Sequence, residues 1–163
     1  MKLGVMSDTH GDVPATAEAV RLLDEVGVSL IIHCGDVGPE IIPLLKGRQV
    51  HFALGNMDDP QRLREALIAP EHTLHERLGA LELAGCRVAF LHGHDGALLH
   101  QTISSGAWDL VCHGHTHDYS TSRQGRTLIL NSGAVARTGR PMIVVAELPT
   151  LNVRAISLKD SRG

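Results

Sequence analysis

Five short apolar runs in this chain end the same way, each on a cluster of polar residues. Residues 2–7 run into Asp8-Thr9-His10-Gly11-Asp12, and residues 29–34 into Gly35-Asp36. Residues 50–54 run into Gly55-Asn56-Met57-Asp58, and residues 88–91 into His92-Gly93-His94-Asp95. Residues 110–112 run into His113-Gly114-His115-Thr116-His117-Asp118. Short runs rich in β-branched residues read as strands covered on both faces of a sheet. Between them lie helical patterns. Residues 13–26 place Val13, Ala17, Val20 and Leu23 on one face and stop at Gly27. Asp59-Pro60 reads as an N-cap with proline at the first helical position, opening a helix over 61–68. Residues 39–46 predict a short helix disturbed by Pro43, and 97–104 a further helix ending before Gly106. Strands alternating with helices imply βαβ units and a largely parallel sheet.

The last third changes character. Residues 126–130, 141–147 and 152–158 are strand-like and joined by turn residues, and residues 73–82 predict a hairpin with 87–91. An α/β fold with a second sheet is therefore expected. With no internal repeat, low-complexity tract or linker, residues 1–163 read as one domain.

Composition narrows the function classes. The chain is 43% hydrophobic and 20% charged, an ordinary globular balance. Phe52, Phe90, Trp108 and Tyr119 are its only aromatics, so no stacking platform for single strands is available. A net charge of −3 without a basic block argues against a stable nucleic-acid complex. No apolar run is long enough to span a bilayer, and the start turns polar too early for a signal peptide. Cys34, Cys86 and Cys112 form neither CxxC pairs nor a disulfide framework, which points to a reducing cytoplasm. Histidine is the outlier, with eleven residues.

In open α/β sheets, ligands sit beyond the carboxyl ends of the strands. The five endings would bring Asp8, His10, Asp36, Asn56, His92, His115 and His117 to one rim. Singly, each fragment reads best as a turn or a helix cap; five at strand ends do not. Carboxylate and amide oxygens with imidazoles, and no cysteine, disfavour a structural zinc site and suit Mn, Fe, Zn, Ni or Co. Seven ligands exceed the needs of one such ion but suit two that share a carboxylate.

The ordered series Asp8-x-His10, Gly35-Asp36, Gly55-Asn56-x-Asp58, His92-Gly93-His94 and Gly114-His115-Thr116-His117 resembles the calcineurin-like metallophosphoesterases. Within them it is most similar to the small single-domain branch of bacterial and archaeal phosphodiesterases. The resemblance implies a four-layer αββα sandwich of two mixed sheets flanked by helices, with a dinuclear metal site at the rim. It puts Asp8, His10, Asp36 and His117 on one ion and Asp36, Asn56, His92 and His115 on the other, with Asp36 as the bridge. It implies two divalent ions, manganese favoured, with Fe, Ni, Co or Zn as alternatives. The implied reaction is attack of a metal-bridging hydroxide on a small phosphodiester; monoester hydrolysis is the nearest alternative. The implied partner is a small phosphate ester, and a homo-oligomer stays open. A non-catalytic scaffold on the same fold, for which a retromer subunit is the precedent, is the rival from another class.

Two departures from the family pattern stand out. Many relatives carry a histidine or cysteine after the Gly-Asn pair, the proposed proton donor in larger members. Here that position is Met57, which has no proton to give. His94 and Asp58 become the nearest donor candidates, and substrates with readily departing leaving groups are expected to be preferred. Asn131-Ser132-Gly133-Ala134 replaces the Asn-Pro-Gly-Ser of small relatives. Elsewhere the plainer readings prevail. His33 and His51 are expected to be hydrogen-bonded sheet residues, His72, His75 and His100 surface residues, and Cys34 and Cys112 buried inert thiols. Asp12, Asp95 and Asp118 could accept from ligating imidazoles, although capping explains Asp12 equally well. His113 ends its strand and stays outside the metal set. Arg137 and Arg140 could meet a phosphate, with solvated surface charge slightly favoured.

Overall fold

The computed structural model describes residues 1–158. Its first sheet is built on four parallel strands, β1 (Lys2–Met6), β2 (Leu30–His33), β3 (Val50–Phe52) and β4 (His72–Leu74). The second sheet contains β5 (Gly79–Leu83), β6 (Cys86–Phe90), β7 (Leu110–His113), β8 (Tyr119–Gln124) and β9 (Thr127–Ser132). The chain then returns to the first sheet, where β10 (Met142–Glu147) runs antiparallel to β1 and β11 (Asn152–Ser157) antiparallel to β10. The orders are β11-β10-β1-β2-β3-β4 and β5-β6-β7-β9-β8. In the second sheet β6, β7 and β9 are parallel, while β5 and β8 form antiparallel edges.

Alternation along the strands decides the layers. Leu3, Val5, Leu30 and Ile32 meet Val88, Phe90, Leu110, Cys112 and Leu130 in a core between the sheets. Met6, Ile31, Val50 and Phe52 point the other way, onto Val20 and Leu23 of α1 (Val13–Val26), the 3-10 helix Pro39–Leu45, and Leu63 of α2 (Pro60–Ala66). Ala89, Leu91 and Val111 face Leu98, Leu99 and Ile103 of α3 (Gly96–Ser104). The result is four layers, helices outside and two mixed sheets inside. Each fully buried Leu, Ile, Val or Phe contributes roughly 1.5–3 kcal/mol of transfer free energy.

The helices start and stop where their caps dictate. Asp12 accepts from the Ala15 N–H at the start of α1, and Gly27 closes it at φ 77°. Asp59 accepts from Gln61 and Arg62 ahead of α2, and Asp95 from Leu98 ahead of α3. Capping therefore accounts for Asp12 and Asp95.

Two expectations change. The 73–82 run is not one arm of a hairpin: β4 adds to the first sheet, and only Gly79–Leu83 pairs with Cys86–Phe90. The chain crosses between layers here, and Gly79 lies flat on Phe90, where a Cβ would come within 2.0 Å of the ring. Strand β8, Tyr-Ser-Thr-Ser-Arg-Gln, carries no apolar alternation and was not foreseen; all six residues are exposed on an edge. Among the described residues, no helix is long and apolar enough to cross a membrane.

Candidate metal centre

The parallel strands β1, β2 and β3 of one sheet and β6 and β7 of the other end on a common rim. The loops there are laced by backbone bonds. Asp8 N–H donates to Gly35 O (3.0 Å), His10 N–H to Asp36 O (2.9 Å) and Gly114 N–H to His92 O (3.0 Å). The two sheets are joined at the rim where His115 N–H donates to Asp8 Oδ2 (3.1 Å), which also accepts from Ser7 Oγ (2.5 Å).

Two groups of ligand atoms result, Asp8 with His10 and His117, and Asp8 with Asp36 and His92, the atoms of each within 4.8 Å of one another. Asp8 Oδ1 lies 3.5 Å from His10 Nε2 and 3.2 Å from His117 Nε2. Asp36 Oδ2 lies 3.2 Å from His92 Nε2 and 3.8 Å from His10 Nε2, between the groups. His115 Nδ1 is 3.2 Å from His92 Nε2. Asn56 is exposed in the β3–α2 loop, and the N–H of the next residue, Met57, donates to Asp36 Oδ1 at 2.9 Å.

The arrangement of the imidazoles calls for positive charge beside the carboxylates. His92 Nδ1 faces the Cys34 carbonyl at 2.8 Å, and His117 Nδ1 faces the Arg137 carbonyl at 3.1 Å. A carbonyl only accepts, so both Nδ1 atoms carry the proton and each ring presents its Nε2 to a carboxylate oxygen. Positive charge is needed at each contact, supplied either by a proton on Nε2 that it donates to the carboxylate or by a metal ion between them. His10 Nε2 is buried with no hydrogen-bond partner. Burial on its own would lower the His92 pKa, yet the Asp36 hydrogen bond and the charges of Asp36 and Asp8 raise it. Burial likewise pushes Asp36 upward, but His92, the Met57 N–H and His10 hold it at about 2. The donor set fits divalent ions of the kind that accept mixed carboxylate and imidazole ligands.

The backbone is shaped for this convergence. Asp8, His10, Asp36, His115, His117 and Arg137 all have φ between 48° and 72°, the left-handed region that non-glycine residues rarely occupy. Such strain clusters where surrounding structure enforces a functional geometry. Two motif glycines are required by close approach: a Cβ on Gly55 would lie 2.0 Å from Asp36 Oδ1, and one on Gly114 2.2 Å from Ser7 Oγ.

The other singled-out residues fall in several places. Asp58 reaches the rim, but its Oδ2 accepts from Asp36 N–H (2.9 Å) and Gly55 N–H (2.8 Å) and its Oδ1 from Val37 N–H (2.8 Å). Burial pushes its pKa up against those bonds. His94 is exposed, its ring centroid 5.5 Å from His92 and 6.3 Å from His115. Burial foremost, then the His92 and His115 charges, lower its pKa. His33 is a buried sheet histidine between Thr9 Oγ1 (2.9 Å) and the Gly35 N–H (3.1 Å). His51 is also a bonded sheet residue, through His75 at 2.8 Å. His72 and His75 are not surface residues: His72 is buried on β4 against Leu45 O, and His75 packs on His51 and Phe90. Both follow from β4 joining the first sheet. Cys34 and Cys112 are buried, and burial raises both thiols. His113 is half-buried, its Nδ1 near Gly114 O, and Asp118 is exposed.

Three positioning groups escaped sequence reasoning. Buried Asn131 donates to Thr116 Oγ1 (2.7 Å) and Gly114 O (3.3 Å), fixing the loop that carries His115 and His117. Ser7 orients Asp8, and the Arg137 carbonyl orients His117. The Asn-Ser-Gly ending of β9 was the available signal for the first; a backbone carbonyl leaves none.

The chain matches the family model described as the calcineurin-like phosphoesterase superfamily domain over residues 1–150. It is 30% identical over 167 residues to a phosphodiesterase of Methanocaldococcus jannaschii, with 98% of this chain and 100% of that protein covered. A solved structure described as a novel archaeal phosphodiesterase matches with a TM-score of 0.89 at 30% identity, covering 97% of this chain and 100% of that one. Zinc-complexed Vps29 of Entamoeba histolytica shares the fold, with a TM-score of 0.72 at 19% identity over 99% of this chain and 94% of that one.

Proposed function

Because this chain belongs to the calcineurin-like phosphoesterase superfamily, we propose that it hydrolyses small phosphodiesters with two divalent ions held at its rim. Asp8, His10, Asp36 and His117 would hold one ion, and Asp36, Asn56, His92 and His115 the other, with manganese favoured over Fe, Ni, Co and Zn. Bound there, the ions supply Lewis acidity toward phosphoryl oxygens and bring the pKa of water toward neutrality. The observation that carries this reading is the convergence of two imidazole Nε2 atoms, His92 and His117, each 3.2 Å from a carboxylate oxygen, beside the buried His10 Nε2 that has no hydrogen-bond partner.

The chain's own residues then orient and protonate. Backbone carbonyls of Cys34 and Arg137 fix the tautomers of His92 and His117. Asp58, committed to three backbone N–H groups, acts as a clamp on the Asp36 and Gly55 loops rather than as a proton donor. That leaves His94 as the donor candidate. Its lowered pKa keeps it mostly neutral near pH 7, so protons are in short supply and anionic departure of the leaving group is favoured. We place the protein in the cytoplasm as a single domain over residues 1–163, with a small phosphate ester as its partner and no nucleic-acid or membrane complex.

The test is reconstitution of chelated protein with each metal, followed by turnover of bis(4-nitrophenyl) phosphate and 4-nitrophenyl phosphate. Diester turnover that is restored by metal and lost in both Asp36→Ala and His115→Ala is expected. Wild-type activity in both variants would refute the two-ion site, and inactivity with every metal would favour the scaffold.

A further inference from the structure

We propose that the small cavity beside the metal centre is a subsite for a second, non-reacting anionic group of the substrate, held by Arg62 and Arg137. The inference rests on the phosphodiesterase reading and specifies its substrate class: a phosphate ester bearing another phosphate or carboxylate close to the scissile group. The cavity, about 180 Å³, opens directly off His10 and Asp36, with Met57 and Leu63 on its wall. Ligand pockets for whole drug-sized molecules start at about 300 Å³, so this one takes a single substituent.

Its lining carries four carboxylates, Asp36, Glu40, Asp58 and Asp59, against Arg62 and Arg137, so the case for an anion rests on those two guanidiniums. Among its carboxylates, Asp36 belongs to the ligand cluster, Asp58 is saturated by three N–H groups, and Asp59 caps α2. Glu40, the remaining carboxylate on the wall, lies against Gly11, its Oε2 2.6 Å from where a Cβ would stand there. Arg62 and Arg137 make no side-chain hydrogen bond or ion pair among the described residues, which is equally true of Arg87, Arg123, Arg140 and Arg154, but of these six only Arg62 and Arg137 line the cavity. Arg137 is also fixed at its root. Its backbone is left-handed at φ 55°, and its carbonyl accepts from His117. A guanidinium one residue frame away from a ligand contact can reach a group bound beside the metals, and its planar fork suits phosphate or carboxylate oxygens.

The experiment measures inhibition of bis(4-nitrophenyl) phosphate hydrolysis by thymidine 5′-phosphate, thymidine 3′-phosphate and thymidine 3′,5′-bisphosphate, on the metal-loaded protein. The bisphosphate is expected to bind about tenfold more tightly than either monophosphate, the gain of one charge-assisted contact. That advantage should collapse to about twofold or less in Arg137→Gln and Arg62→Gln, and persist in Arg154→Gln, on β11 far along the chain. Diester turnover with no bisphosphate advantage in the wild type overturns the subsite and leaves the phosphodiesterase reading standing. An advantage that survives in both arginine variants overturns it as well. Absence of diester turnover with every metal defeats the underlying reading instead, and the subsite with it.

Discussion

Replacing Asp58 by asparagine separates a clamp from a proton donor. Asparagine is isosteric, and its single carbonyl oxygen can stand at the Oδ2 position, keeping the Asp36 and Gly55 N–H bonds. Its amide nitrogen must then occupy the Oδ1 position, where it confronts the Val37 N–H, donor against donor. The opposite orientation would lose two bonds, so the first prevails. A half-buried N–H left without an acceptor costs about 1–3 kcal/mol, and the two surviving bonds lose their charge assistance. The expected loss is about 2 kcal/mol, which for a chain of this size lowers the melting temperature by about 4–8 °C. Differential scanning calorimetry on chelated protein measures this directly. The donor alternative makes the opposite pair of claims: an unchanged melting temperature, with kcat falling far more for alkyl than for aryl esters. A melting temperature within about 1 °C of wild type would refute the clamp.

Further outcomes follow from other parts of the site. Gly55→Ala would drive a Cβ into Asp36 Oδ1, so Asp36 must shift; a displacement of about 1 Å should cost roughly 100-fold in kcat/KM, with a stability loss of about 1–3 kcal/mol by urea unfolding. Burial holds His33 neutral, with its pKa at about 3. A base with a depressed folded pKa gives full stability above the ordinary histidine value and loses it as pH falls, because only the unfolded state gains the proton. Chelated wild type should therefore lose about 2 kcal/mol more than His33→Asn between pH 7 and pH 5, and equal losses would remove His33 as the cause. Because Met57 supplies no proton, aryl diesters should exceed alkyl diesters by about 100-fold or more in metal-saturated kcat, and Met57→His should narrow the gap by roughly tenfold. Equal wild-type rates for the two ester classes would contradict this.

The α/β layering was legible because alternation and capping are local. The periodicity of Val13, Ala17, Val20 and Leu23, with Asp12 before and Gly27 after, places α1 without reference to the rest of the chain. The β8 edge was hidden because an edge strand exposed on every residue leaves no apolar period to read. The split of the 73–82 run was hidden because choosing between two sheets depends on which surface is open, a property of the assembled layers. For the same reason His72 and His75 read as surface, whereas His72 proved buried and His75 half-buried against His51.

The site divides the same way. Residue types and their order at five strand ends were enough to suggest a mixed carboxylate and imidazole centre, since ligand chemistry belongs to side chains. Which oxygen faces which nitrogen was not. Only the folded rim sets Asp8 between His10 and His117, commits Asp58 to backbone N–H groups, and recruits Asn131 and the Arg137 carbonyl as supports. Those relations join residues up to 109 positions apart along the chain. Sequence offered the candidate donors, the caps and most of the strands. Tertiary structure decided the distances and protonation of the centre, because both depend on groups brought together by the packing of two sheets.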